Sequence, residues 1–426
     1  MRNGNSARRL SLTTIFFTVF LDLVGVGIAI PIITPLMIRP ESGILPATYS
    51  EEQRTILLGF LIASFSIAGF FGGPLLGALS DRYGRRPLLQ FSLVLTLAGY
   101  LIFALGIHQR NIAILFLSRI IYGLGGGNVS IIQSAIADRS DEQTRTKNFG
   151  LIGVAFGLGF IIGPFLGGVL SNSDIVSWFS FETPFLAAAL LSFINIILVY
   201  LNFHETLPEP VYRPVTALTG FRNLREAFAN DRLRILFLGV FFYSLGFNFY
   251  TQFFQVFLVK RFDFNQVQIG NYFAFVGLSV AFMQGAVVRR VARVYSPQQI
   301  LRVSVLGLGF ALWLFLLPQK SWQLFLIVPV LAVFQGLTSP NSTSLVSMSA
   351  TTQEQGKIMG INQSVLSAAF AVPPIIAAYI DTISIYLPIT VAGFMVLVGW
   401  YFFRRFIQSP ASPPTDPEEL AEEANL

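Results

Sequence analysis

The chain contains 426 residues, of which 54% are hydrophobic and only 12% are charged. A soluble protein is usually about one-quarter charged, so this composition excludes an ordinary soluble domain. Runs of about 20 apolar residues recur along the chain, and each can cross the roughly 30 Å apolar core of a bilayer as a helix. There is no cysteine, which excludes disulfides and thiolate metal sites. The sequence therefore predicts a polytopic membrane protein.

Apolar runs separated by Gly, Pro or charged residues predict twelve transmembrane helices in an all-α fold. Helices are favoured because open strand edges would leave backbone groups unpaired in lipid, and no alternating barrel pattern is present. The first run follows three arginines but is too long for a cleaved signal peptide. The predicted spans are 12–37, 56–79, 87–107, 111–137, 147–171, 183–203, 233–258, 266–288, 298–317, 321–347, 357–380 and 383–406.

Basic residues are distributed unevenly between alternate loops. The amino terminus, every second loop and the carboxyl tail together carry 21 of the 28 Lys and Arg residues, whereas the other loops carry six. The remaining one, Arg119, lies well inside a span. By the positive-inside rule both termini are predicted to be cytoplasmic. The expected location is a plasma (bacterial inner) membrane. The net charge of +6 is thus interpreted as a topology signal, and no nucleic-acid partner is expected.

The longest loop divides the chain into two sets of six spans. Residues 204–232 contain three prolines followed by a basic amphipathic stretch. They predict a cytoplasmic linker between an amino-terminal six-helix bundle, 1–203, and a carboxyl-terminal six-helix bundle, 233–407. The tail 408–426 is proline-rich and then acidic, so it is expected to be disordered.

Three motifs of the first bundle recur in the second at nearly constant spacing, which predicts a pseudo-symmetric internal repeat. The corresponding pairs are Gly77 and Gly285 (offset 208), Gly123 and Gly336 (offset 213), and Pro164 and Pro374 (offset 210). The acid of the first motif, Asp81, is replaced by Arg289 in the second. Repeats of this kind in transporters place a substrate site near the bilayer midplane, between halves that rock against each other.

Residues 77–89, GALSDRYGRRPLL, resemble the signature between the second and third helices of the major facilitator superfamily. Arg119, with the glycines that follow it, is similar to the helix-4 motif of its drug:proton antiporters, and residues 21–31 look like their first helix. Span 5 resembles the helix-5 motif of the same branch, which includes the 12-helix tetracycline exporters. The residues of that motif are Gly159, Gly163, Pro164, Gly167 and Gly168. The resemblance implies the major facilitator fold and proton-coupled export. A plainer interpretation of the span-5 glycines is close helix packing.

By the same resemblance, the motif after span 2 forms a cytoplasmic gate. Its members are Gly77, Asp81, Arg82, Gly84, Arg85, Arg86 and Asp138. The resemblance implies that Asp81 faces the amino-terminal end of span 11, near Gly356, where a helix dipole favours an anion. It also implies an ion pair between Arg85 and Asp138. The alternative is that the arginines only hold a short loop on the cytoplasmic side, but this would not account for Asp81.

Asp22 and Arg119 are the only full charges placed well inside the predicted spans. Because such charges are costly in a membrane, they indicate function by default. Asp22 is the predicted proton carrier, and Arg119 is expected to tune its proton affinity or to hold an anion. A structural Asp–Arg pair between spans 1 and 4 is the alternative. The position corresponding to Asp22 in span 7 is Tyr243, so the coupling acid is expected in one bundle only.

Polar side chains at helical spacing should avoid lipid and line either a cavity or a helix contact. The substrate-binding candidates of this kind are Ser130, Gln133, Ser244, Asn248, Gln252, Gln255, Gln335 and Ser339. The phenylalanines of span 7, in contrast, are expected to face mainly lipid.

These features predict a monomeric secondary active transporter, not an enzyme, that uses the proton as coupling ion and needs no other cofactor and no metal. The expected partners are the bilayer and a small amphipathic compound or drug, exported by alternating access. Three alternatives stay open: a proton-coupled importer of a nutrient or siderophore, a lipid or lysolipid translocator, and a membrane sensor without net transport.

Overall fold

The computed structural model of the protein describes residues 2–139, 142–207, 219–229, 231–291, 293–349 and 355–408. Within these ranges all regular structure is helical. Each of the twelve predicted spans coincides with a helix. The helices are α1 Arg2–Ile38, α2 Glu51–Tyr83, α3 Arg85–His108, α4 Ile112–Asp138, α5 Glu142–Leu170, α6 Thr183–Asn202, α7 Asp231–Phe262, α8 Gln266–Val288, α9 Pro297–Leu314, α10 Ser321–Met348, α11 Gln355–Ala371 with Pro373–Ile383, and α12 Leu387–Gln408.

Ten of the described helices are long and apolar enough to cross a membrane. The other two are α5, whose described apolar segment Gly157–Leu170 is shorter, and α9, with 18 residues. The all-helical membrane fold predicted from hydropathy is therefore confirmed. A short linker helix, Thr219–Ala229, precedes α7, and its Asn223 Nδ2 donates to Ser364 Oγ of α11 (3.0 Å). The rest of the predicted linker, 208–218 and 230, and the tail from 409 lie outside the described residues.

Several helices begin at polar caps. The Ser50 hydroxyl accepts the Gln53 amide hydrogen at the start of α2, and the Gln53 side chain accepts the Ser50 amide hydrogen in return. Asn265 and Ser296 start α8 and α9 in the same way. Such capping boxes pair two backbone N–H groups that the helix itself leaves free. They hold these three helix starts at defined residues.

Close helix contacts depend on glycine. A methyl group added at Gly27 of α1 would lie 2.9 Å from the Gly163 Cα of α5, and one at Gly99 of α3 would lie 2.7 Å from the Tyr122 Cβ of α4. Without these methyl groups the backbones approach closely, as is common in membrane bundles. α4 is interrupted at Gly126, and α11 at Val372 before a proline, which cannot donate a backbone hydrogen bond.

The phenylalanines of α7 form an internal aromatic cluster, and the expectation that they face lipid is wrong for four of them. Phe249, Phe253, Phe254 and Phe257 are each no more than 3% exposed. The ring of Phe254 packs against those of Tyr250, Phe257, Tyr272 and Phe315, and its centroid is 4.7 Å from that of Tyr250. Packing against α8, α9 and α12 therefore removes this face of α7 from lipid.

Ion pairs distinguish the two ends of the bundle. At the end where α1 begins, called here the amino-terminal end, the α2–α3 junction meets the last turn of α4. At the opposite end, the segment after α1 and the start of α2 meet the last turn of α7.

Candidate functional site

A cavity of about 380 Å³ lies between the first six and the last six helices, near mid-length of the bundle. Its walls combine aromatic rings with a few polar groups, as is usual for sites that bind small organic molecules. The lining residues are Phe65, Ser66, Gly69 and Phe70 of α2, Gly123 and Gly126 of α4, Tyr243, Ser244, Phe247 and Asn248 of α7, and Gln363, Leu366, Ser367 and Phe370 of α11.

Two of the predicted substrate-binding residues, Ser244 and Asn248, line this cavity. Gln335 is one step behind them, because its Nε2 donates to the hydroxyl of the cavity residue Tyr243 (3.3 Å). Ser339 also hydrogen-bonds to Tyr243.

The other four polar candidates are not part of the cavity lining. The Gln252 Nε2 donates to the Phe370 carbonyl (2.8 Å), and the Gln255 Oε1 accepts a hydrogen bond from Thr34 of α1 (3.1 Å). Gln255 therefore serves as a helix contact. Gln252, in contrast, contacts two cavity residues, because its Oε1 also accepts a hydrogen bond from Ser66 (3.4 Å), and both Ser66 and Phe370 line the cavity. Ser130 is partly buried beside Gly77, and Gln133 is exposed, so the structure does not bring them to the cavity.

Sequence reasoning missed the contribution of α11 to the cavity. Gln363 and Ser367 are four residues apart and therefore share one face of this helix. The same polar periodicity that singled out α7 would have found them.

Asp22 lies inside the first six helices. It is partly buried on α1 and accepts a hydrogen bond from Asn128 of α4. Its other carboxylate oxygen, Oδ1, is buried and has no hydrogen-bond partner. Buried polar atoms are nearly always paired in folded proteins, so an unpaired carboxylate oxygen indicates a group with a further partner or proton to accept.

Arg119 is also buried and incompletely paired. It is 6% exposed, and its guanidinium lies 4.7 Å from the ring centroid of Phe103. Nε and Nη2, which form one fork of the guanidinium, have no hydrogen-bond partner. No ion pair joins Arg119 to Asp22 in the part of the chain that the structure describes. The structural Asp–Arg pair, which was the alternative interpretation of these two residues, is therefore not formed in this conformation.

A pair of tyrosines accompanies the two charges. The hydroxyl oxygens of Tyr100 on α3 and Tyr122 on α4 are 2.9 Å apart and buried. Both hydroxyls interact electrostatically with Asp22 and with Arg119. A methyl group at Gly25, one turn after Asp22, would lie 2.5 Å from the Tyr100 hydroxyl oxygen, so glycine permits this approach. The sequence did not single out either tyrosine.

At the amino-terminal end, Arg85 is 5% exposed and joins two acids. Its Nη1 is 2.6 Å from Asp81 Oδ1, and its Nε is 3.1 Å from Asp138 Oδ2. The expected Arg85–Asp138 pair is thus present, whereas the predicted contact of Asp81 with the start of α11 stays a prediction. Arg86 Nη2 donates to the Tyr200 carbonyl (2.6 Å), and the Arg82 guanidinium lies over the Tyr83 ring (5.1 Å).

Glu205, just after α6, organises this junction and was not predicted. Its carboxylate accepts backbone hydrogen bonds from Arg85 (2.9 Å), Arg86 (3.1 Å), Thr206 (2.9 Å) and Leu207 (2.9 Å). Partial burial acts to raise the pKa of Glu205, but these four donors outweigh it and hold the pKa below the ordinary value. Gly84 makes room for this carboxylate, since its φ is +102° and a methyl group would lie 2.6 Å from Glu205 Oε2.

At the opposite end, a buried lysine links the two sets of helices. Lys260 Nζ of α7 is 2.6 Å from Asp381 Oδ2 of α11 and 3.1 Å from Glu51 Oε1 of α2. The Lys260 and Asp381 side chains are 7% and 1% exposed. Arg39 adds a second link, 2.7 Å from Asp263. Sequence analysis missed Lys260 and Asp381 because it ended spans 7 and 11 one or two residues before them.

The span-5 motif lies in the interior of the bundle. Gly159, Gly163 and Gly167 face α1 closely, while Gly168 and Pro164 meet α8. Methyl groups at these glycines would press on main-chain atoms of α1 or α8, which fits the packing interpretation. The motif therefore contacts both sets of six helices, and its influence on transport stays a prediction.

Comparison with known proteins places these features in one family. The sequence profile of the Major Facilitator Superfamily matches residues 15–350 and 290–424. The class H tetracycline resistance protein of Pasteurella multocida is 27% identical over 416 residues, covering 93% of this chain and 96% of that protein. Major facilitator superfamily domain-containing protein 10 of Bos taurus is 31% identical over 362 residues, covering 77% and 74%. The crystal structure of the human organic anion transporter MFSD10 (TETRAN) aligns with a TM-score of 0.71 at 25% identity, covering 93% of this chain and 99% of that one.

Proposed function

The chain belongs to the major facilitator superfamily, in its tetracycline-exporter-like branch, and from that premise we propose that it is a proton-coupled antiporter of a small amphipathic compound. The observation that carries the proposal is the position of Asp22. An acid with an unpaired buried oxygen lies on α1 and is hydrogen-bonded to α4, one of the helices that line the central cavity. Intramembrane acids of this kind mark proton pathways.

In the proposed cycle the substrate occupies the cavity between α2, α4, α7 and α11. Aromatic groups such as Phe65 and Phe370 contact its apolar part, and Ser244 and Asn248 offer hydrogen bonds to its polar part. Asp22 accepts a proton in one orientation of the cavity and releases it in the other. Proton and substrate therefore exclude each other, and the proton gradient drives export.

The proposed orientation places the amino-terminal end in the cytoplasm of a bacterial cell, with the bilayer in question being the inner membrane. The network of Asp81, Arg85 and Asp138 then acts as a cytoplasmic gate, and the Lys260 and Arg39 links close the outer side. The outer links join the first six helices to the last six, whereas the ion pairs of the cytoplasmic network lie within the first six, so the structure corresponds in this scheme to a state closed toward the outside.

A second candidate function is transport of an organic anion. Two observations favour it: the unpartnered Nε and Nη2 fork of Arg119, and the similarity to a structure whose protein is named an organic anion transporter. A guanidinium fork matches the two oxygens of a carboxylate. If an anion binds to Arg119, protonation of Asp22 removes a repulsive charge, so proton and anion move together instead of in exchange.

Everted membrane vesicles with an acidic lumen test both functions. Tetracycline, a lipophilic cationic dye, an aromatic carboxylate, a sugar and a siderophore are added in turn to wild-type, Asp22→Asn and Asp174→Asn vesicles. Asp174 is exposed in the loop after α5 and serves as the matched carboxylate control. Proton efflux with one compound in wild type and Asp174→Asn, but not in Asp22→Asn, is the expected result for antiport.

Other outcomes separate the candidates. Antiport is contradicted if Asp22→Asn supports the same flux as wild type. Proton movement in the same direction as an aromatic carboxylate, dependent on Asp22, would instead establish the anion alternative.

A further inference from the structure

We propose that the Tyr100–Tyr122 hydroxyl pair positions Asp22 for proton exchange, by turning from each other to the carboxylate when Asp22 is ionised. The proposal rests on the proposed role of Asp22 as the coupling acid. The two tyrosines act through Asp22 and do not themselves carry the transported proton. Their contribution is to make the ionised carboxylate tolerable inside the first six helices.

The first argument is that Asp22 and Arg119 both lack hydrogen-bond partners. Asp22 has one buried oxygen without a donor, and Arg119 has two buried N–H groups without an acceptor. A tyrosine hydroxyl both donates and accepts a hydrogen bond. The hydroxyls at 2.9 Å satisfy each other, so these two neutral groups can exchange their mutual hydrogen bond for bonds to the two charges.

The second argument is position. The Tyr100 hydroxyl rests against Gly25, one helical turn from Asp22 on the same side of α1. Tyr122 is one turn after Arg119 on α4, and Arg119 stacks on Phe103, one turn after Tyr100 on α3. The hydroxyl pair is therefore within electrostatic reach of the acid at one side and the base at the other.

Among the described residues, α5 and α6 meet this level of α1 with uncharged groups. α5 meets it with Gly159, which lies against Leu23. α6 contributes Asn195, whose Nδ2 donates to the Thr18 carbonyl (3.2 Å). Asn128 of α4 is the neutral partner of Asp22. Within the described ranges, Asn128 is thus the hydrogen-bond partner of Asp22, and Tyr100 and Tyr122 are the titratable groups in electrostatic contact with it.

A second buried tyrosine pair in the chain provides a control. Tyr250 and Tyr272 form a second buried hydroxyl pair, 3.0 Å apart, on α7 and α8. Their side chains are 1% and 0% exposed, and the groups around them are the aromatic rings of Phe254, Phe315 and Phe325. A Tyr→Phe change in this second pair removes a buried hydroxyl and its hydrogen bond, just as Tyr122→Phe does. It does so away from Asp22, and therefore serves as the control.

The test is a pH titration of Asp22 by infrared spectroscopy of the purified full-length protein in lipid, without any substrate. The Asp22 signal is the protonated-carboxyl C=O band that disappears in Asp22→Asn. Its midpoint is compared in wild type, Tyr100→Phe, Tyr122→Phe and Tyr272→Phe. A hydrogen bond to a charged group is lost in the first two variants, so we expect their midpoints to rise by about one pH unit. Tyr272→Phe should titrate as wild type does.

Gly25→Ala provides an independent variant that keeps both hydroxyls. Its methyl group would displace the Tyr100 hydroxyl from α1, and we expect a midpoint shift in the same direction. Unchanged midpoints in Tyr100→Phe, Tyr122→Phe and Gly25→Ala would overturn the positioning role while leaving proton coupling intact. An equal shift in Tyr272→Phe would also overturn it. An Asp22 band that never titrates in wild type would overturn the proposed function together with this inference.

Discussion

The protein handles buried charge in two different ways at two places. At the opposite end of the bundle, Lys260 is held by Asp381 and Glu51, with Nζ–O distances of 2.6 and 3.1 Å. Near mid-length, the described residues give Asp22 and Arg119 no ion pair, and each keeps buried polar atoms without a partner. Asp381 Oδ1 is also unpartnered, but the other oxygen of that carboxylate is paired with Lys260. A paired buried charge stabilises one arrangement of helices, whereas an unpaired one must exchange a proton or a ligand to be tolerated. The Lys260 site is therefore interpreted as a structural contact that closes one end of the bundle, and Asp22 and Arg119 as groups that bind a proton or a ligand.

The largest expected effect comes from breaking the paired site. Lys260→Met leaves the Asp381 carboxylate buried without its counter-charge, which typically lowers the free energy of unfolding by about 3–5 kcal/mol. Thermal unfolding of the purified protein, followed by tryptophan fluorescence, measures the loss. The double variant Lys260→Met with Asp381→Asn removes both charges and should recover most of it. Equal losses in the single and double variants would show that the pair is not what stabilises this end.

A smaller loss is expected at the amino-terminal network, where charges are paired but partly exposed. Gly84→Ala forces a methyl group onto a residue with φ of +102° and against Glu205 Oε2. The expected cost is about 1–3 kcal/mol of unfolding free energy. Gly73→Ala in α2 is the matched control, because a methyl group there meets nothing within 4 Å. Comparable unfolding temperatures for the two variants would contradict the role given to Gly84.

Removing the unpaired base should cost little stability. In Arg119→Met the lost guanidinium had two unpartnered donors, so the free energy of unfolding is expected to change by no more than about 1 kcal/mol. Proton-coupled flux, in contrast, should fall strongly. Measuring both in one preparation sharpens the comparison with Lys260→Met. A destabilisation as large as that of Lys260→Met would mean that Arg119 is a structural residue.

The smallest effect concerns Glu205, whose pKa lies below the ordinary value because four backbone N–H groups bind its carboxylate. A lowered pKa in the folded state stabilises the protein above the pKa of the unfolded chain, about 4.3. That stabilisation disappears as the pH falls through the lower, folded value. Glu205→Gln should therefore melt about 1 °C below wild type at neutral pH. The gap should close in acid, and a gap independent of pH would contradict this account.

Hydropathy and glycine placement were enough to predict the helices, because lipid requires each span to satisfy its own backbone. The Arg85–Asp138 pair was also predicted, but the pair between Lys260 and Asp381 was not. Lys260 and Asp381 were treated as loop residues because a charge was assumed to end a span. In the structure both side chains are buried, and they form an ion pair with each other. Glu205 gave no local signal, since its four backbone partners are assembled only when α6 returns to the α2–α3 junction.

The residues of the candidate functional site were predicted only in part. Asp22, Arg119, Ser244 and Asn248 were identified because charge and polar periodicity in an apolar segment are visible without a structure. The tyrosine pair was not, because buried tyrosines are common and only the fold brings Tyr100 and Tyr122 within 2.9 Å. Likewise, which face of α7 meets lipid depends on the neighbouring helices, and Phe253 and Phe254 proved to be 1% exposed.

The central claim is that proton and substrate exclude each other at Asp22. The most direct measurement is the pH change when the compound that drives flux in vesicles is added to purified protein in weakly buffered detergent solution. The account predicts release of up to one proton per bound compound from wild type at a pH below the titration midpoint of Asp22, and none from Asp22→Asn. Proton uptake on binding, or equal release by Asp22→Asn, would contradict it.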